Sequence, residues 1–247
     1  LNLLRDLQPE EMDDPQLPED VHLAALKGLA RLNRFTCVAF SVYRRLRKFA
    51  VALRRPIRVL DVATGSGDMP IYWAKRAFRD GLAMHCTGLD ISDTALKFAT
   101  AQGRQARADV QFLQRDVLAD RLPTGFDIIT CGLFIHHLTP PQISRLLQSM
   151  QSAAGHAVVV CDLERTRMNL ALVSAAAHGL TRSKIVHRDA ARSVRAALTR
   201  DEFREIAEVA LDRPVRVEGL PPCRFIATIE EAVERMPDTV LAGIQTT

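Results

Sequence analysis

The segment Val59-Leu-Asp-Val-Ala-Thr-Gly-Ser-Gly-Asp-Met-Pro70 limits the folds open to this chain more than any other. An apolar run leads into two glycines, and a helix follows with Pro70 near its start. Proline is favoured in a first helical turn, where its missing N–H had no partner to lose. Gly65 and Gly67 let backbone approach a ligand closely. The helix N-terminus behind them presents unpaired N–H groups. The next apolar run ends in Gly88-Leu89-Asp90, with the carboxylate 23 residues beyond Gly67. An acid at that strand end is placed to grip the two hydroxyls of a ribose. Strand, turn, helix, strand and acid together call for a nucleoside-like ligand.

The rest of the pattern agrees. Short apolar runs at Ile57–Val62, Met84–Asp90, Val110–Gln114, Phe126–Cys131 and Ala157–Asp162 alternate with helical stretches near 70–80, 92–106 and 140–153. That alternation specifies an α/β fold, a parallel sheet covered by helices on both faces. A capping box at Thr199-Arg-Asp-Glu202 opens a helix to about Leu211. Runs at Val215–Glu218 and Arg224–Ile229, parted by Gly219-Leu-Pro-Pro222, read as a closing antiparallel pair. Residues 163–198 read as an irregular, arginine-rich cover. Residues 1–20, with Pro9, Pro15 and Pro18 among acids, read as an extended arm. Residues 21–55 read as two helices, the second with Phe35, Val38, Ala39, Val42, Leu46, Phe49, Ala50 and Leu53 on one face. Two units are expected: an N-terminal arm and helical cover over 1–55, and a ligand-binding domain over 56–247 with its cover insertion at 163–198.

The ligand can be narrowed. A dinucleotide fingerprint needs a third glycine where Pro70 stands. Asp61 closes the first strand and suits a cationic ammonium better than a pyrophosphate. A ribose, an adenine and an amino acid meet in S-adenosylmethionine. On these residues the chain resembles the class I S-adenosylmethionine-dependent methyltransferases, and among them the small-molecule branch that includes ubiquinone and menaquinone methyltransferases. The resemblance covers about residues 56–230. It implies a Rossmann-like seven-stranded sheet of order 3-2-1-4-5-7-6 with strand 7 antiparallel. It also implies that Asp61, Ala63, Thr64, Gly65 and Gly67 surround the methionine end, with Ala63 where many members have glycine. Asp90 would hold the ribose and Ile91 pack on the adenine. Asp116, followed by Val117, would accept from the adenine amino group, and Cys131 with Gly132 would stand at the mouth.

Methyl transfer rests on placing an acceptor in line with the donor, and a hydroxyl acceptor is helped by a general base. Leu133-Phe-Ile-His136-His137-Leu leaves the sheet at its carboxyl edge, where open α/β sheets bind ligands. It resembles the segment carrying the base of phenolic O-methyltransferases, which makes His136 the candidate base and His137 its neighbour. Tyr43, His187 and Arg195 are the candidate acceptor contacts. The expected activity is methylation of a small aromatic acceptor (a phenol, quinone precursor or polyketide), O-directed rather than C-directed. Nucleic-acid methylation and non-catalytic S-adenosylmethionine binding are the alternatives.

Charge and composition bear on partners. Residues 1–20 carry −6, residues 21–58 carry +10 and residues 164–200 carry +6, within a net +4 for 247 residues. Aromatic residues are only 5%, too few for the stacking platforms of a nucleic-acid binder, so no nucleic acid is expected as partner. The five cysteines are scattered without a CxxC pair, which points to reduced thiols and to no metal site. With an acidic, polar N-terminus and no span-length apolar run, a cytoplasmic location is expected. The basic amphipathic stretch at 35–53 allows a peripheral membrane contact.

Overall fold

The computed structural model describes residues 3–14 and 16–230; Pro15 and the end of the expected second domain, 231–247, lie outside the described residues. Seven strands form one sheet: β1 (Ile57–Val62), β2 (Met84–Asp90), β3 (Val110–Gln114), β4 (Phe126–Gly132), β5 (Ala154–Leu163), β6 (Val217–Leu220) and β7 (Arg224–Glu230). Their order is β3-β2-β1-β4-β5-β7-β6. The first five are parallel, while β7 runs antiparallel to both β5 and β6. The sheet is therefore the expected one. β6 begins two residues later than its apolar run, because the Val215 N–H is held by the Glu208 carboxylate instead of a strand partner.

Helices α1 (Glu19–Phe35), α2 (Val38–Leu53), α3 (Asp68–Arg79), α4 (Asp93–Ala106), α5 (Pro140–Ala153), α6 (Arg167–Leu180), α7 (Lys184–Ala196) and α8 (Arg200–Leu211) complete the described chain. Strand alternation divides the core. Leu60, Val62, Ile129, Val158 and Val160 face α5 and α8, which supply Ile143, Leu147, Met150 and Phe203. Ile57, Val59, Ile128 and Val159 face α2 and α3, which supply Val42, Leu46, Met69 and Trp73. The apolar face of α2 is thus spent on the core. Phe35 does not share it: it closes α1 and is 68% exposed. No helix of the described residues is long and apolar enough to cross a membrane.

The cover differs from its expected form. Residues 163–198 are not irregular but hold α6 and α7. The Thr166 side chain caps α6 by accepting from Asn169 N, and Ser183 caps α7 by accepting from Val186 N. Val173, Ala177, Ile185, Val186, Ala190 and Val194 bury a third apolar cluster together with Ala25 of α1. The arm is not free either. It makes a short 3-10 turn at Glu11–Asp13 and lies on α7, with the N–H groups of Glu11 and Met12 donating to the Asp189 carboxylate at 3.0 Å each.

Candidate active site

The glycine loop sits at the carboxyl edge of the sheet. Gly65 and Gly67 both have positive φ (54° and 68°), and a Cβ on Gly65 would meet open space. Backbone at that point lies open to an incoming ligand. Gly67 is glycine for a second reason: a Cβ there would meet the Phe112 ring at 2.6 Å. Ala63 takes φ 53° without being glycine, a left-handed conformation that costs free energy. Asp90 braces the loop, its Oδ2 accepting from Gly65 N at 2.7 Å and its Oδ1 from Ser92 N at 2.9 Å. Burial pushes the Asp90 carboxyl up, against the pull of those two N–H groups. Ile91 beside it is 63% exposed, a free apolar surface next to the acid.

Asp61 lies deeper. Its two oxygens accept from Thr64 Oγ1 and Thr130 Oγ1, each at 2.7 Å, and burial pushes its pKa up to about 7. Asp116 turns back on its own loop, accepting from Leu118 N at 2.9 Å, and Val117 is buried. Cys131 is not at the mouth. Its side chain is 1% exposed on the α5 side of the sheet, and burial raises its thiol well above the usual range. Strand alternation dictates this, since neighbouring Thr130 takes the Asp61 side.

Beyond β4 the chain enters a strained turn, Leu133 at φ 56°, and then a short 3-10 turn holding His136 and His137. His136 is 4% exposed. Its Nδ1 is 2.7 Å from Asp162 Oδ1, and its backbone N–H donates to Asp162 Oδ2 at 3.1 Å. Its Nε2 faces Glu10 Oε1 at 3.7 Å. Burial works against a charged ring, but the Asp162 and Glu10 carboxylates outweigh it and push His136 up to about 10. Asp162 and Glu10 thus brace the His136 ring from its two nitrogens, while the residue still lines the pocket described next. Glu10 is buried too, yet His136 and His137 keep its carboxyl below the usual range. His137 is partly exposed, with Nδ1 3.0 Å from Asp13 Oδ2 and Nε2 3.9 Å from Glu10 Oε1.

These groups form one wall of a pocket closed by Leu29, Leu32 and Asn33 of α1, by Val173 of α6, and by Val186, Asp189, Ala190 and Ser193 of α7. The Asn33 side chain also bonds Asp68 at the start of α3, which ties the pocket to the glycine loop. Three expected acceptor contacts are not brought here. Tyr43 is in the core between α2 and α3, with its hydroxyl on Asp80 at 2.7 Å. His187 places Nε2 2.8 Å from Thr181 O and stacks on His178. Arg195 points out of α7 and is exposed. The residues that sequence reasoning missed are Glu10, Asp13, Asn33 and Asp189. For Glu10 and Asp13 the one signal was charge, an acidic arm matched to a basic cover; Asn33 and Asp189 had none.

Comparison with known proteins places this geometry. Residues 59–156 match the family model of a methyltransferase domain. Over 101 residues the chain is 33% identical to a demethylmenaquinone methyltransferase of Thermus thermophilus, covering 40% of this chain and 44% of that one. Over 87 residues it is 30% identical to a ubiquinone biosynthesis O-methyltransferase of Idiomarina loihiensis, covering 34% of this chain and 33% of that one. The chain thus spans less than half the length of these curated relatives. Magnesium protoporphyrin IX methyltransferase from Synechocystis, solved with bound SAH, shares the fold at a TM-score of 0.55 and 16% identity, over 89% of this chain and 90% of that one. Residues 59–156 thus match a methyltransferase domain, and the chain shares its fold with a solved methyltransferase.

Proposed function

We propose that the chain is an S-adenosylmethionine-dependent methyltransferase acting on a small, apolar aromatic acceptor, with transfer to oxygen. The observation that carries this reading is the Asp90 carboxylate bonded to the Gly65 N–H at the carboxyl edge, in one molecule with the pocket at His136 and His137. The residues present fit the donor. Gly65 leaves open space above its Cα, Asp90 is a carboxylate able to exchange backbone partners for ribose hydroxyls, and Ile91 offers an apolar face to adenine. Asp61, Ala63, Thr64 and Gly67 complete the loop on the methionine side. Asp116 and Val117 are assigned to the adenine rim, and Cys131 contributes through backbone only. Bound there, S-adenosylmethionine supplies a methyl group on a cationic sulfur.

The chain's own part is to position the acceptor and exclude water. Leu29, Leu32, Leu133 and Val173 give the pocket apolar walls suited to an aromatic ring. His137, partly exposed on that wall, takes the hydroxyl proton, while His136 and Asp162 hold the wall in place. The arm and cover arginines favour a small acceptor over nucleic acid. Arg188 and Arg192 pair with Glu11, Arg200 with Glu164, Arg165 with Glu202 and Arg45 with Glu218, so these arginines already have carboxylate partners within the chain.

The test is transfer of label from methyl-labelled S-adenosylmethionine to a panel of catechols, phenols and quinols, with RNA and the corresponding C-acceptor rings as separate arms. Label on an aromatic oxygen supports the reading. Label only on ring carbon, or only on RNA, contradicts the assigned direction or acceptor class.

A further inference from the structure

Glu10 lies more than a hundred residues from His136 and His137 in the chain, yet one ligand-type atom of each lies within 4.8 Å of the others. Glu10 Oε1 is 3.7 Å from His136 Nε2 and 3.9 Å from His137 Nε2. A tetrahedral zinc ion with ligands at about 2.0–2.1 Å separates neighbouring donor atoms by roughly 3.3 Å. The two edges from Glu10 need only sub-ångström contractions to reach that separation, and the donor atoms of the three residues lie within 4.8 Å of one another. Two imidazoles and one glutamate form a donor set of the kind used in open zinc sites, where three protein ligands leave a fourth position free.

The surroundings carry the argument further. A metal-bound histidine commonly gives its other ring nitrogen to a carboxylate, which fixes the tautomer and the ring plane. Both rings have that arrangement here: His136 Nδ1 is on Asp162 at 2.7 Å and His137 Nδ1 is on Asp13 at 3.0 Å. That leaves both Nε2 atoms directed at Glu10. The Glu10 side chain is itself held by Ser193, and the arm behind it by Asp189. All three residues line the pocket.

We propose that Glu10, His136 Nε2 and His137 Nε2 bind one divalent transition-metal ion of the zinc class when the arm is docked. Asp162 and Asp13 are positioning residues that orient the two rings. Loading displaces the proton from any charged imidazole. An ion there would make a coordinated hydroxyl more acidic, so that its proton would pass to solvent water instead of to His137, whose Nε2 would be a ligand. The proposal concerns binding and stands apart from the methyl-donor reading, since its test needs neither donor nor acceptor.

The experiment is titration of the metal-stripped full chain with Zn2+ by calorimetry, and with Co2+ by visible absorption. One ion per chain is expected, with the intense ligand-field bands of a four-coordinate nitrogen and oxygen site and no thiolate charge-transfer band. Glu10→Gln and His137→Ala should each abolish stoichiometric binding, while circular dichroism shows the chain still folded. Asp162→Asn should weaken binding about 10–100-fold, the effect typical of an outer-shell partner. No stoichiometric binding, binding unchanged in Glu10→Gln and His137→Ala, or a Co2+ spectrum dominated by thiolate would each overturn the proposal.

Discussion

The two halves of the site are held together by different physics. The donor side is closed by contacts between neighbouring elements, such as the Gly65 N–H on the Asp90 carboxylate, and by glycines packed where no side chain fits. The acceptor side is closed across the whole chain by charge. Glu11 of the arm meets Arg188 and Arg192, and Asp189 receives two arm N–H groups from 177 and 178 residues away. Exposed ion pairs contribute little each, whereas the glycine loop is fixed by sterics. A rigid cradle and a separable cover are the expected consequence.

The strongest way to break that contrast is at Gly67. Gly67→Ala forces φ 68° on an L-residue and drives a Cβ into Phe112. Left-handed strain and overpacking together should cost about 2–4 kcal/mol in urea unfolding. A loss within a few tenths of a kcal/mol would show the cradle to be soft. The matching change in the cover is Asp189→Ala, which frees the Glu11 and Met12 N–H groups. Hydrogen exchange should then accelerate over residues 3–14 by roughly one to two orders of magnitude, as expected for losing charge-assisted bonds. Protection in β1, β2 and β4 should stay unchanged; sheet and arm opening together would erase the distinction.

A third, smaller effect comes from pH. Burial raises the Asp61 carboxyl in the fold from an ordinary 3.8 to about 7. The folded state therefore holds this proton more tightly than the unfolded one. Its contribution to stability is full below about pH 4, falls as pH rises towards 7, and is constant above that. A cationic donor beside Asp61 favours the opposite, ionised form, so donor affinity should rise between pH 6 and 8 and Asp61→Asn should flatten that rise. An identical pH profile in Asp61→Asn would remove Asp61 from the donor side. The smallest effect is expected at Ala63, where φ 53° suits glycine. Ala63→Gly should change stability by no more than about 1 kcal/mol, with strain relief offset by the extra freedom of the unfolded chain.

The same contrast decides what the sequence reveals. β1, β2 and β3 stand where their apolar runs stand, and the capping box at Thr199–Glu202 opens α8, because each depends on residues a few positions apart. The cover helices also had local signals, Thr166 and Ser183 as caps, but their arginines hid the apolar spacing of Ile185, Val186, Ala190 and Val194. Tyr43 read as a pocket residue because nothing local says which face of the sheet α2 takes. Glu10 and Asp13 were illegible as partners of the histidines, since only the fold brings them across more than a hundred residues to His136 and His137.

The central claim is that the Gly65–Asp90 cradle binds S-adenosylmethionine. Calorimetric titration of the full chain with S-adenosylmethionine tests it most directly, with Asp90→Ala alongside. Two charge-assisted hydrogen bonds are at stake, so the variant should bind at least 100-fold more weakly while keeping its fold. Equal affinity in Asp90→Ala, or no binding by the unaltered chain, would contradict the account.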